Sequence, residues 1–442
     1  MQDIGATSTA SPAWSATSWK GKPMAQPIEY DDQEHLSEVI KRLENLPDLV
    51  PRYEIDQLSL LMQFAAQGQL FFIQGGDCAE AFSDIRPQII KSKQELLIAQ
   101  AEILSDGLGV PVVPIGRIAG QYSKPRSSCM ETLSCGSVVN AFRGENINAP
   151  NKSSRSPDPE RLAMGYHFSA VTLSALRTFR NRNENAINAA IRPSSGVFTS
   201  HEALHLPLES SMTRHAYNTS AHMLWIGERT RQISGAHVEY MRGLRNPVGI
   251  KIGPSTSPTD IVELLDTLNP GKMVGKNVII TRFGAKNVKE KLPDLVQAVH
   301  ASGHLPVWLC DPCHGNTYAT PSNVKTRFVE DMLDELKTTF MVHSEIGSSL
   351  GGIHLEETGE EDVTECIERA SVNLDTAEFP EYRTLCDPRL SRSQGIDFVK
   401  TYADFFRNQS ARAKIMESFK VYRFEFSFQG RNNRISHKHI CM

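Results

Sequence analysis

"VGIKIGPSTSPTDIVELLDTLNPGKMVGKNVIITRFGAKNVKEKLPDLVQAVHASGHLPVWLCDP", residues 248–312, holds three short apolar runs, "VGIKI", "NVIIT" and "LPVWLC", with an amphipathic stretch after each of the first two. Apolar runs of this length, closed by Gly, Pro or a charge, read as buried strands. The stretches Thr259–Leu268 and Val288–Ala301 place apolar residues three and four apart and read as helices. Strands joined through helices lie parallel, because the crossover carries the chain back to the end from which the next strand starts.

Outward from this segment the alternation recurs. "LFFIQ" (70–74), "VPVVPIGR" (110–117), "VFTSHEAL" (197–204), "HMLWIGER" (222–229) and "GGIHLEE" (351–357) are further strand candidates, and helices are expected over Pro87–Ser105 and Lys325–Phe340. Eight strands within about 300 residues fit a closed barrel better than an open sheet. The expected fold is therefore α/β, a (β/α)8 TIM-type barrel over residues 69–412. Residues 31–68 are expected as an N-terminal helical extension: Leu36, Val39, Ile40 and Leu43 share one helical face, and a second helix runs Asp56–Ala66. Residues 1–30, rich in Ser, Ala and Thr, are expected as a flexible N-terminus. In the C-terminal tail, residues 413–442, "VYRFEFSF" (421–428) alternates like a half-buried strand.

Composition narrows the function. With 47 Lys and Arg against 51 Asp and Glu, the formal net charge is −4, and 40% of the residues are hydrophobic. That balance suits a globular protein handling small molecules and excludes a general nucleic-acid or polybasic membrane role. No apolar stretch approaches the length of a membrane helix. Eight cysteines in 442 residues are too sparse for a disulfide framework, so reduced thiols are expected. The first Arg is Arg42 and no apolar leader precedes it, which points to a cytoplasmic protein, with a plastid-type address as the alternative.

The chemistry follows the strands. Cys78, Arg117, Glu202, Glu228 with Arg229, Lys251, Arg282, Asp311 with His314, and Glu356 all stand at or just beyond the C-terminal end of a run. In a barrel those ends form the face where active sites are built. One polar strand end is ordinary loop chemistry; eight of eight with ionisable or metal-binding groups is not. "CDPCH" (310–314) matches a haem-attachment pattern and a zinc-like Cys pair, but it ends a buried strand and lacks both an export signal and a second compact Cys/His pair. The better metal set is Cys78, His314, Glu356 and Asp387. Its thiolate, imidazole and two carboxylates suit Mn²⁺, and equally Co²⁺, Fe²⁺ or Zn²⁺. Arg117, Lys124, Arg126, Arg229, Lys251 and Arg282 crowd the same face of an acidic chain, which implies anionic substrates carrying phosphate or carboxylate.

At these residues the sequence resembles a family. "QGGDCAE" (74–80), "GRIAGQYSKPRS" (116–127), "WIGERTRQ" (225–232), "NPVGIKIGP" (246–254), "DPCHGNT" (311–317), "GGIHLEETG" (351–359), "VTEC" (363–366) and "CDPRL" (386–390) are similar to motifs of the type II 3-deoxy-D-arabino-heptulosonate 7-phosphate (DAHP) synthases, in order. The resemblance implies condensation of phosphoenolpyruvate with erythrose 4-phosphate at the entry of the shikimate pathway, with one divalent metal, Mn²⁺, on Cys78, His314, Glu356 and Asp387. It implies phosphoenolpyruvate binding by Arg117, Glu228, Arg229, Lys251 and Arg282, and places Lys124, Arg126 and Ser127 near the phosphate of erythrose 4-phosphate. Lys251, Arg117 and Glu202 are the expected catalytic groups, and a homo-oligomer is the expected assembly. Cys313 stands where the family usually has Met. An amino-sugar or secondary-metabolite variant, and a non-catalytic barrel serving as a binding partner, are the alternatives.

Overall fold

The apolar runs form eight parallel strands that close on themselves: β1 (Phe71–Gly76), β2 (Val112–Arg117), β3 (Phe198–Glu202), β4 (Met223–Ile226), β5 (Val248–Ile252), β6 (Asn277–Thr281), β7 (Val307–Cys310) and β8 (Gly352–Glu356). Each strand pairs with its neighbours in sequence, and β1 pairs with both β2 and β8, which closes the barrel. This is the expected (β/α)8 architecture. The computed structural model describes residues 13–132, 136–179, 191–369, 378–409 and 411.

Two helices precede the barrel, α1 (Gln33–Glu44) and α2 (Arg52–Ala66), and α3 (Pro87–Leu108) and α4 (Glu160–Phe179) follow β1 and β2. Then come α5 (Leu206–Ser211), α6 (Ala236–Met241), α7 (Pro258–Leu268), α8 (Val288–Ser302) and α9 (Val329–Ile346). The α7 start follows from its sequence: Ser257 accepts from the Asp260 backbone N–H, Asp260 accepts from that of Ser257, and Pro258 is preset for the first turn. Helix α2 stops the N-terminal mouth of the barrel. Its Leu58, Leu61, Met62 and Ala65 join Phe72, Phe198, Met223, Val278 and Leu309 in one buried cluster. An apolar floor there leaves the opposite, C-terminal mouth for polar groups.

The helical extension is also tied to the strands by a buried polar pair. Glu54 of α2 accepts from the Ser194 backbone N–H at 2.8 Å and from His222 Nε2 at 3.0 Å, while His222 Nδ1 accepts from the Thr199 backbone N–H at 2.9 Å. That last bond leaves the imidazole proton on Nε2, facing the carboxylate.

Three expectations change. The helix expected from Lys325 begins at Val329; Lys325–Arg327 is instead a short strand, antiparallel to Thr317–Ala319, with Arg327 opposite Thr317. Thr326 and Arg327 are fully buried, and a strand directs them to opposite sides, which one helical turn could not do. Residues 13–30, expected to be flexible, lie against the barrel. The indole of Trp14 donates to the Tyr240 carbonyl at 3.1 Å, and buried Trp19 donates to Ser210 Oγ at 2.9 Å, so two aromatic anchors outweigh the Ser-rich composition. The second helix starts at Arg52 rather than Asp56. The "VYRFEFSF" strand expected in the tail lies outside the described residues. Among the described residues no helix is long and apolar enough to cross a membrane.

Candidate active site

The C-terminal mouth of the barrel opens into a cleft of about 290 Å³ lined by Cys78, Arg117, Lys124, Glu202, Glu228, Arg229, Lys251, Arg282, His314, Glu356 and Asp387. All eight strands supply it. Two expected residues stand apart: Arg126 and Ser127 line a neighbouring cavity of about 620 Å³. The chain passes between the two at Pro125, which lines the cleft. Ser127 still reaches it indirectly, its Oγ accepting from Arg229 Nη2 at 3.1 Å, whereas Arg126 faces Glu131 at 3.8 Å.

The four expected ligands converge. One ligand atom each from Cys78, His314, Glu356 and Asp387 lie within 4.8 Å of one another. His314 Nδ1 donates to Asp311 Oδ2 at 2.7 Å, which fixes the ring so that Nε2 lies 3.0 Å from Glu356 Oε1, among the other donors. An imidazole oriented by a carboxylate on its far nitrogen is the arrangement metal-binding histidines use. Burial opposes charge on His314, but Asp311 and Glu356 outweigh it and raise its pKa to about 9. Burial also works against ionised Glu356 and Asp387; His314, Arg327 and Arg117 around the first, and Lys124 beside the second, hold both well below the usual carboxylate range. Burial pushes the Cys78 thiol up. A bound cation reverses that preference, since a coordinating thiol ionises outright. Lys124 meanwhile contacts Cys78 Sγ and lies 2.5 Å from Asp387 Oδ2, so an ammonium already sits against two of the four donors. Sulfur, nitrogen and two carboxylates within this radius fit one divalent ion. The "CDPCH" segment does not make a rival site: Cys310 meets Thr339 Oγ1 at 3.5 Å, and Cys313 accepts from the Glu356 backbone N–H at 3.2 Å.

Beside the ligands stand the cations. Lys251 Nζ pairs with Asp311 Oδ2 at 2.9 Å and lies over the Trp225 ring at 5.7 Å. Arg282 Nη2 donates to the His314 carbonyl at 2.7 Å, and its Nε is buried without a partner among the described residues. Glu202 Oε1 and Glu228 Oε2 are likewise buried and unpartnered, and burial pushes the Glu202 carboxyl up. Buried polar atoms without partners are costly in an ordinary core, so their gathering in one cleft marks a place where something else binds. At Gly227 a Cβ would stand 2.0 Å from Glu202 Oε1, so a side chain there would displace that carboxylate.

Beneath the cleft lies a polar layer that strand-end reading missed. Arg117 Nη1 donates to His354 Nε2 at 2.6 Å, His354 Nδ1 donates to Gln74 Oε1 at 2.7 Å, and Gln74 Nε2 donates to Ser200 Oγ at 2.9 Å. Arg327 Nη2 holds Glu356 Oε2 at 2.6 Å from below, while Lys325, half exposed and lining the cleft itself, holds Asp387 Oδ1 at 2.8 Å. The signal for His354 was present: two residues before Glu356 on one strand, it points to the same face.

A model of the class-II DAHP synthetase family matches residues 14–194 and 184–403. The chain belongs to that family. The phospho-2-dehydro-3-deoxyheptonate aldolase of Streptomyces coelicolor is 40% identical over 438 residues, 88% of this chain and 97% of the relative. The protein of the same description from Neurospora crassa is 38% identical, covering 91% of this chain and 96% of the relative. Phospho-2-dehydro-3-deoxyheptonate aldolase AroG of Mycolicibacterium smegmatis is 35% identical, covering 83% and 89%. Family membership makes the chain an enzyme of the DAHP synthase type, at the head of the shikimate pathway.

Proposed function

We propose that the cleft binds phosphoenolpyruvate and erythrose 4-phosphate and joins them into DAHP with release of inorganic phosphate, using one Mn²⁺ held by Cys78, His314, Glu356 and Asp387. The observation that carries this reading is the convergence of four mixed donors and a crescent of cations on one cleft. When bound, such an ion supplies Lewis-acid polarisation of a carbonyl oxygen, worth several kcal/mol. The chain's own groups do the rest. Lys251, Arg229 and Arg282 face the cleft as partners for the phosphate and carboxylate of the donor, and Arg117, anchored by His354 and the Cys78 carbonyl, is a fixed positive charge behind it.

In this scheme C3 of phosphoenolpyruvate attacks the aldehyde carbon of erythrose 4-phosphate, forming the new C–C bond and leaving positive charge at C2. Water adds at C2, one of its protons ends on the former aldehyde oxygen, now a hydroxyl, and the C2–O bond to phosphate breaks as the C2 hydroxyl becomes the ketone and its proton leaves with inorganic phosphate. Glu202, a lining residue of the cleft, is placed to take the proton of that water. Lys124 and, through Arg229, Ser127 lie on the side assigned to the acceptor's phosphate.

Purified protein is expected to consume phosphoenolpyruvate only when erythrose 4-phosphate and a divalent ion are both present. EDTA should abolish turnover, and Mn²⁺ or Co²⁺ should restore it. Full turnover by protein whose metal content is confirmed as nil, or consumption of phosphoenolpyruvate with no aldehyde acceptor, would contradict the reading.

A further inference from the structure

Glu335 lies on α9 and is fully buried, and among the described residues no ion pair to a cation engages it. Its Oε1 accepts from the backbone N–H groups of Phe283 at 2.7 Å and Gly284 at 2.9 Å, and its Oε2 accepts from Asn316 Nδ2 at 2.8 Å. Asn316 cannot turn its amide over without loss. Its Nδ2 also donates to the Pro312 carbonyl at 2.8 Å, and its Oδ1 accepts from the Ala285 backbone N–H at 3.0 Å. One carboxylate thereby knots two loops. The loop after β6 carries Arg282 immediately before the clamped amides, and the loop after β7 carries His314 two residues before Asn316.

The loops also touch directly. Arg282 Nη2 donates to the His314 carbonyl, and Gly284, at φ +81°, packs so closely that a Cβ there would lie 2.7 Å from the Gly315 carbonyl oxygen. Burial with no cation beside it among the described residues pushes the Glu335 carboxyl up to about 8, yet three donors converge on it, which marks a device for geometry rather than for stability. We infer that Glu335 is a positioning residue that sets Arg282 against His314 and thereby shapes the donor-anion side of the cleft.

This inference rests on the proposed placement of phosphoenolpyruvate at Arg282. Glu335→Gln keeps the shape but presents an amide NH₂ either to Asn316 Nδ2 or to the two backbone N–H groups, a donor facing donors in each orientation. The test has two parts on the full chain. In metal-free protein, amide hydrogen exchange at Phe283, Gly284 and Ala285 should accelerate about tenfold or more in Glu335→Gln, while exchange in the barrel strands stays as in the parent and shows the fold intact.

In the metal-loaded enzyme, KM for phosphoenolpyruvate should rise about tenfold or more with a smaller change in kcat, and the rise should be largely absent when the same change is made in Arg282→Lys. Unchanged exchange at those three amides overturns the knot. Accelerated exchange with full additivity in the double variant overturns its action through Arg282. If the parent does not use phosphoenolpyruvate at all, the proposed function fails, and the exchange result still decides whether Glu335 holds the loops.

Discussion

Cys78→Ala should lose metal affinity by at least about 100-fold and nearly all turnover with it, because the ion gives up the sulfur among its four donors. Cys78 is buried just after β1, and its carbonyl is held by Arg117 Nη2 at 3.1 Å, so the loop stays in place when the side chain is shortened. Cys313→Met, by contrast, should leave turnover within a few fold. Cys313 accepts the Glu356 backbone N–H, packs in the core and is not one of the four clustered donors. Metal content of the purified variants, read beside their turnover, checks both. A Cys313→Met protein that loses its metal while Cys78→Ala keeps it would move the site to the 310–314 segment.

Arg282→Ala should lower kcat/KM for phosphoenolpyruvate by roughly 30- to 5,000-fold, the equivalent of about 2–5 kcal/mol for removing one partner of a desolvated charge pair. Its Nη2 is tied to the His314 carbonyl and the residue lines the cleft, so the guanidinium is held at the wall where an anion would bind. The loss should appear with phosphoenolpyruvate as the varied substrate and be much smaller in KM for erythrose 4-phosphate. Kinetics indistinguishable from the parent would remove Arg282 from the donor site.

The barrel was legible because its strands are short apolar runs whose ends carry the chemistry, and each of the eight runs named from sequence became a barrel strand. Cys78, His314 and Glu356 were legible for the same reason, since residues at strand ends meet at one mouth, whereas Asp387 comes from a loop well beyond β8. What escaped reading depended on contacts made far along the chain. Arg327 looked like part of a helix start, and only its pairing opposite Thr317 turns it into a strand residue aimed at Glu356. Arg126 sits in a motif with Lys124, yet the two line different cavities.

Other signals were present but diluted. Glu335 shares the inward face of α9 with Met332, Leu336, Thr339 and Val342 at helical spacing, so a charge on that stripe could have been flagged as buried. In residues 13–30 the two tryptophans outweighed a composition that suggested a mobile segment.

Diffraction from crystals grown with Mn²⁺ and phosphoenolpyruvate, recorded at the manganese absorption edge, locates the ion and the donor together. The maps should show one anomalous peak within bonding distance of Cys78 Sγ, His314 Nε2 and the carboxylates of Glu356 and Asp387, with the phosphoenolpyruvate anion groups on Lys251, Arg229 and Arg282. A peak elsewhere, or phosphoenolpyruvate bound outside the C-terminal mouth of the barrel, would contradict the proposed site.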